Sequence, residues 1–234
     1  MPPIVCHDLP MDDRGFRVRP PVAHALARAR HVLLDLDGPC FALPRTASPR
    51  SLLDGLRPLP AYWSIPAYSN PHVLAYLTHH EPDLAPAAEA AASAREWESI
   101  LTARPAAGLA DLLAAPTGRR MWVVGEHSED AMRAGLRAHG LDVAVVAGRQ
   151  GLDPGTFGLL PAAARAIRLL GVDPAECVLV SGRVDQLYHA KDAGMTLLGV
   201  VSGHDTRKWL ADPAPVLSNL TRLRQALLST PLTG

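Results

Sequence analysis

A chain of 234 residues, 48% hydrophobic and 20% charged, can bury one sizeable α/β domain or a domain carrying a smaller inserted one, and its composition excludes wholesale disorder. Its formal net charge of zero provides no global basic field for nucleic acid or an anionic membrane, although a local anion pocket is compatible with it. Three widely spaced cysteines (Cys6, Cys40, Cys177), an N-terminus of acids and prolines without an apolar stretch, and the absence of any run near ~20 apolar residues argue against a disulfide framework, a structural zinc, a signal peptide and a membrane span; a cytoplasmic protein is expected.

Residues 1–20 lack periodicity and read as a loosely packed lead-in. PVAHALARAR reads as a short helix, and HVLLDLD as a strand of the kind buried on both faces of a parallel sheet, ending at Asp35 and Asp37. From 39 to 116 prolines recur and helical stretches follow, with no strong strand, which predicts an all-helical insertion. Within it, 86–101 suits an amphipathic helix with Ala, Trp97 and Ile100 on one side and Glu89, Arg95, Glu96 and Glu98 interleaved. His79 and His80 are expected to be one exposed and one packed, and Tyr62, Trp63 and Tyr68 to form an aromatic loop.

The α/β rhythm then resumes. MWVVG (121–125) reads as a strand, and 128–140 as a helix capped by Ser128 with acids in its first turn. Strands follow at 141–148, 176–182 and 195–203, with helices at 161–171, 186–194 and 216–228. Alternating strands and helices predict a doubly wound parallel α/β sheet, a Rossmann-like core of residues 21–38 and 117–234 whose ligands sit beyond the carboxyl ends of the strands. Two carboxylates at the end of a buried strand repel each other, so they are expected to hold a cation or to do chemistry.

The segments LLDLDG, SEDAMRAGLRAHGL, LLGVDPAECVLV and AKDAG, in this order over about residues 31–210, resemble the haloacid dehalogenase superfamily, and within it the phosphoglycolate-phosphatase-like branch with a helical cap after strand 1. The resemblance implies that Asp35 is a nucleophile forming an aspartyl-phosphate and that Asp37 is the acid/base. It also implies that magnesium is held by Asp35 and a backbone carbonyl, taken as that of Leu36. Such chemistry needs a cation and hydrogen-bond donors, because a carboxylate must approach an anionic phosphoryl group.

The other motifs of that family are altered. Gly125 and Glu126 stand where a hydroxyl residue and its neighbour bind the phosphoryl group, so their backbone amides remain as donors while Glu126 adds repulsion. The lysine position falls on Gly158, and only Lys191 and Lys208 are lysines among 23 basic residues; Arg149 and Arg183 are the cationic stand-ins. Gly182 and Gln186 take the places of the distal metal acids, with Asp185 one residue early, which leaves Mg²⁺ weakly bound or absent. The expectation is a slow or impaired phosphatase, or a pseudoenzyme binding a small phosphorylated or anionic metabolite. Its alternatives are an active magnesium-dependent phosphomonoesterase and a non-catalytic scaffold. Whether the chain is an enzyme is left open by the sequence.

Overall fold

The apolar run ending in Asp35 folds as β1 (His31–Asp35), in which every residue is buried. Val32, Leu33 and Leu34 are wholly inaccessible, and burying each stabilises the fold by roughly 1.5–3 kcal/mol. The computed structural model describes residues 17–43, 52, 65, 69–201 and 207–233, and places β1 inside a six-stranded sheet.

In chain order the elements are α1 (Pro20–Ala27), β1, α2 (Asn70–His80), α3 (Ala85–Thr102), α4 (Leu109–Leu113), β2 (Arg120–Ser128), α5 (Glu129–Ala138), β3 (Val145–Arg149), α6 (Leu159–Leu169), β4 (Cys177–Ser181), α7 (Val184–Asp192), β5 (Thr196–Val200), α8 (Arg207–Leu210), β6 (Val216–Leu217) and α9 (Leu220–Ser229). The sheet is parallel throughout, in the order β3-β2-β1-β4-β5-β6. Asp35 lies beside Val124 of β2, and Leu34 beside Val180 of β4. The winding direction reverses between β1 and β4, the topological point at which doubly wound sheets place their ligands beyond the carboxyl ends.

Alternation along β1 separates two cores. Val32 and Leu34 pack with residues of α1, α5 and α9, whereas Leu33 packs with Trp122, Ala163 of α6 and Leu187 of α7. Arg119 ties the first layer together below the sheet. Its buried guanidinium donates to the carbonyls of Leu26 (3.2 Å), Ala29 (3.0 Å), Leu227 (3.0 Å) and Thr230 (2.7 Å), tying together the C-terminal ends of α1 and α9.

Between β1 and β2 the described residues form helices, turns and two isolated bridges, Asp37 with Phe41 (parallel) and Phe41 with Pro105 (antiparallel). Leu52, Ile65, Val73, Leu77 and Ala88 give this helical insertion a core of its own. The orientation of α3 departs from the sequence reading: Glu96 is 5% exposed and Trp97 44%. The inward stripe is Ala85, Ala88, Ala92, Glu96 and Ile100, at helical spacing, with an acid in place of the tryptophan because a buried arginine faces it.

Other differences are of boundary. β2 continues to Ser128, and β3 starts at Val145 and takes in Arg149, which the sequence reading left between elements. The short α8 and β6 were not expected. His79 and His80 are both exposed, their rings 4.6 Å apart. The expected lead-in up to Phe16 and the aromatic residues Tyr62, Trp63 and Tyr68 lie outside the described residues.

Candidate functional site

Asp35 ends β1 with 1% of its surface exposed. The chain then closes a tight loop: the Cys40 amide donates to the Asp35 carbonyl (3.3 Å), the Phe41 amide to the Leu36 carbonyl (2.9 Å) and the Gly38 amide to the Phe41 carbonyl (2.7 Å). This loop turns the Asp37 amide back onto Asp35 Oδ1 (3.2 Å). On the other side, β4 brings up Ser181, whose buried hydroxyl donates to Asp35 Oδ2 at 2.7 Å and accepts the Arg183 amide at 3.0 Å. Burial pushes the Asp35 carboxyl up to about 8; the Ser181 hydrogen bond and the Arg183 charge oppose the rise, while Asp37 and Glu126 add to it. Near neutral pH the protonated form of Asp35 is therefore favoured, and in that form the carboxyl can also donate a hydrogen bond.

Arg183 stands just before α7, with its side chain 23% exposed. Its Nη1 reaches Glu126 Oε1 at 3.3 Å, and its Nη2 reaches Asp185 Oδ2 at 3.0 Å. Burial disfavours the charge, but Glu126, Asp185 and Asp35 outweigh it and hold Arg183 above its ordinary value. Burial likewise opposes ionisation of Asp185, and the Arg183 hydrogen bond and charge overcome it, so Asp185 is held below the usual carboxylate range. Gln186 donates to the same Asp185 oxygen at 3.1 Å.

These residues do not fit a magnesium site. Magnesium requires an octahedron of hard oxygens. Here Asp185 is engaged by a guanidinium, the distal acid positions are Gly182 and Gln186, and the Leu36 carbonyl closes the loop. Among the described residues, no group of three His, Cys, Asp or Glu is arranged to hold a metal ion. The Arg183 guanidinium, paired to Glu126 and Asp185, also adds a positive charge close enough to act on Asp35.

Two of the glycines that the resemblance singles out are built into the packing. A Cβ at Gly125 would meet Leu36 Cβ, Met132 Cε and Met132 Sδ, each at 3.3 Å, so a hydroxyl residue there has to displace its neighbours. Gly158 has φ +121°, a backbone conformation that L side chains rarely adopt, so this corner does not take a lysine without strain.

Of the two arginines proposed to stand in for lysine, only Arg183 faces Asp35. Arg149 is wholly buried and ion-paired to Glu89 (2.8 Å) and Glu96 (2.9 Å) of α3, a role set by packing. Cys40 is buried and its thiol is pushed well above the ordinary value by burial, so it is a core residue. Ser128 caps α5, accepting the Ala131 amide. Ser181 and Glu96 escaped the sequence reading. A hydroxyl closing the apolar strand CVLVS beside β1 is the one signal that pointed to Ser181. A cleft of about 670 Å³ opens elsewhere, between α3, the start of α5 and the end of β3, lined by Trp97, Asp130 and Gln150 among others and by none of Asp35, Asp37, Glu126 or Arg183.

No protein-family model matches the chain, and no curated protein matches it. Solved structures do. A predicted phosphatase from Clostridium acetobutylicum is 15% identical with a TM-score of 0.62, over 86% of this chain and 98% of its own. A HAD family hydrolase from Deinococcus radiodurans R1 with bound phosphate and sodium is 23% identical with a TM-score of 0.53, over 88% and 99%. A predicted phosphoglycolate phosphatase from Haemophilus somnus 129pt is 18% identical with a TM-score of 0.53, over 84% and 96%. At these identities the likeness is one of fold: this chain's doubly wound parallel sheet with a helical insertion after β1 shares its fold with these phosphatase and HAD-family hydrolase structures.

Proposed function

We propose that the chain is a phosphatase-like protein with impaired phosphoryl transfer, which retains a small anion site at the end of β1 under the insertion of residues 39–116 as its cap. The observation that carries this reading is the company of Asp35: a hydroxyl, a backbone amide and an arginine, where a metal-dependent nucleophile needs a dication. Losing one oriented transition-state stabiliser typically costs about 10²–10³ in rate, and here the hydroxyl, the lysine and two metal acids are all replaced. Such losses are not additive, yet any one is enough to make turnover slow.

Anion binding is favoured by the partial exposure of the Arg183 pairs, with side chains 23% exposed for Arg183, 26% for Glu126 and 53% for Asp185. Exposed ion pairs are worth roughly 0–1 kcal/mol, and a hydrogen bond to a charged group about 1.5–3 kcal/mol. A phosphate or carboxylate gripped by both guanidinium arms can therefore draw Arg183 away from its present partners. The neutral Asp35 carboxyl lowers the negative charge that such a ligand meets. A small phosphorylated or carboxylated metabolite is the ligand class this reading implies.

The test is a phosphomonoester panel with and without Mg²⁺, run on the wild type and on Asp35→Asn, alongside thermal shifts with inorganic phosphate for the wild type and Arg183→Met. The expected result is turnover that Mg²⁺ does not raise, and a phosphate-induced shift lost in Arg183→Met. Magnesium-dependent turnover abolished in Asp35→Asn would establish an active phosphatase instead. No thermal shift in the wild type would favour a scaffold with an unused site.

A further inference from the structure

Arg149 carries a full charge with none of its side chain exposed, and the side chains it pairs with belong to the insertion. Nε and Nη2 donate to the Glu89 carboxylate (2.8 and 3.3 Å), and Nη1 and Nη2 to that of Glu96 (3.0 and 2.9 Å). Nη1 also donates to the Glu126 carbonyl at 3.1 Å. Glu96 in turn accepts the Ser128 amide (2.8 Å) and Asn70 Nδ2 (2.9 Å). Burial opposes ionisation of Glu96, but His127 and Arg149 prevail and hold it below the usual carboxylate range. One guanidinium thus joins α3 of the insertion, the end of β2 and the end of β3.

A second seam fixes the same helix independently. A Cβ at Gly135, in the middle of α5, would lie 2.3 Å from Ile100 Cγ2, so α3 rests on α5 at a separation that only glycine allows. Interior helical glycine costs about 1 kcal/mol against alanine. Its presence here is accounted for by the close approach of α3. An insertion that swings open repeatedly is better served by a polar, wet seam than by a buried charge network whose partners would all be stranded at once.

We infer that Arg149 is a positioning residue: it latches the helical insertion onto the core and, through the Glu126 carbonyl, sets where the Glu126 carboxylate meets Arg183. Arg149 touches neither Asp35 nor Asp37 in the hydrogen-bond pattern and acts through Glu126. The latch does not depend on whether the Asp35 site turns over or binds anything, so it can fail while the functional reading stands, and the reverse.

Amide exchange of the intact chain, followed residue by residue by NMR, tests it. The Ser128 amide reports the latch directly because it donates to Glu96. In the wild type, the amides of α3 and that of Ser128 are expected to exchange together, in the slowest class. Independent, faster exchange of α3 would overturn the latch. The triple variant Arg149→Met/Glu89→Gln/Glu96→Gln removes the clamp and leaves no buried charge unpaired. It is expected to speed exchange of α3 and of Ser128 by about tenfold or more while α6 and α7 keep wild-type rates. In the same variant the Arg183 side-chain resonances are expected to shift. Faster α3 exchange with Ser128 and Arg183 unmoved would reduce Arg149 to an ordinary structural ion pair and overturn its positioning role. If the triple variant does not fold, the wild-type exchange pattern decides the latch, and Arg149→Lys, which keeps the charge and loses the fork, decides the coupling to Arg183 by the same resonances.

Discussion

Two arginines in this molecule each sit between two carboxylates, and they do opposite things. Arg149, between Glu89 and Glu96, is sealed from water, and each charge has its hydrogen bonds in place. Arg183, between Glu126 and Asp185, is partly exposed and held by looser contacts. The composition of the two groups is nearly the same; burial separates them. A sealed group is part of the architecture, because removing one member strands the rest. An open group can change partners, which makes it the one suited to meeting a ligand.

The sharpest way to break this comparison is to delete both arginines in turn. Arg149→Ala leaves the buried Glu96 carboxylate and the partly exposed Glu89 without their partner and is expected to cost about 3–5 kcal/mol, a melting-temperature fall of the order of 10 °C, readable by circular dichroism. A loss no larger than that of Arg183→Ala would erase the distinction.

Asp35 provides the next test. Its folded carboxyl, at about 8, lies above the ordinary 3.8, so the unfolded chain gives up this proton first as pH rises. Its contribution to stability is fully present below about pH 4, is lost progressively as pH climbs towards about 8, and is flat beyond. Asp35→Asn is expected to lack this slope, so the melting-temperature gap, variant minus wild type, should widen by several degrees between pH 4 and 8. A constant gap would show that Asp35 ionises normally at the end of β1.

Arg183→Ala is expected to cost under about 1 kcal/mol while removing the phosphate-induced thermal shift. The smallest effect is expected from Gly125→Ser. It places a hydroxyl three residues before the end of β2, but against Leu36 and Met132 at 3.3 Å, so the melting temperature should fall slightly and phosphatase turnover stay at background. A clear gain in turnover from this change alone would mean that the remaining machinery is intact.

Much of the fold was legible because it rests on local pattern. The apolar run before Asp35, the Ser128 cap and the alternation of strands with helices are written within a few residues of each other. Glu96 was not legible, because a helix turns an acid inward only when a partner far along the chain awaits it, and Arg149 is 53 residues away. The pairing of Ser181 with Asp35 likewise joins residues 146 apart and depends on strand register, which sequence pattern does not encode. The acids at 35, 37 and 185 were identifiable as a group; that Arg183 would occupy one of them, and that the carboxyl of another would be largely protonated near neutral pH, depended on burial.

Gly158, at φ +121°, limits what a single substitution can do at the turn before α6. A lysine arriving there by a single substitution meets a backbone that rejects it, so its first effect is instability, with no cationic benefit until the turn before α6 has been rebuilt. A change that is harmful until others precede it is seldom retained. A cation at this corner therefore has to come together with changes to the turn before α6, and a single substitution does not supply it.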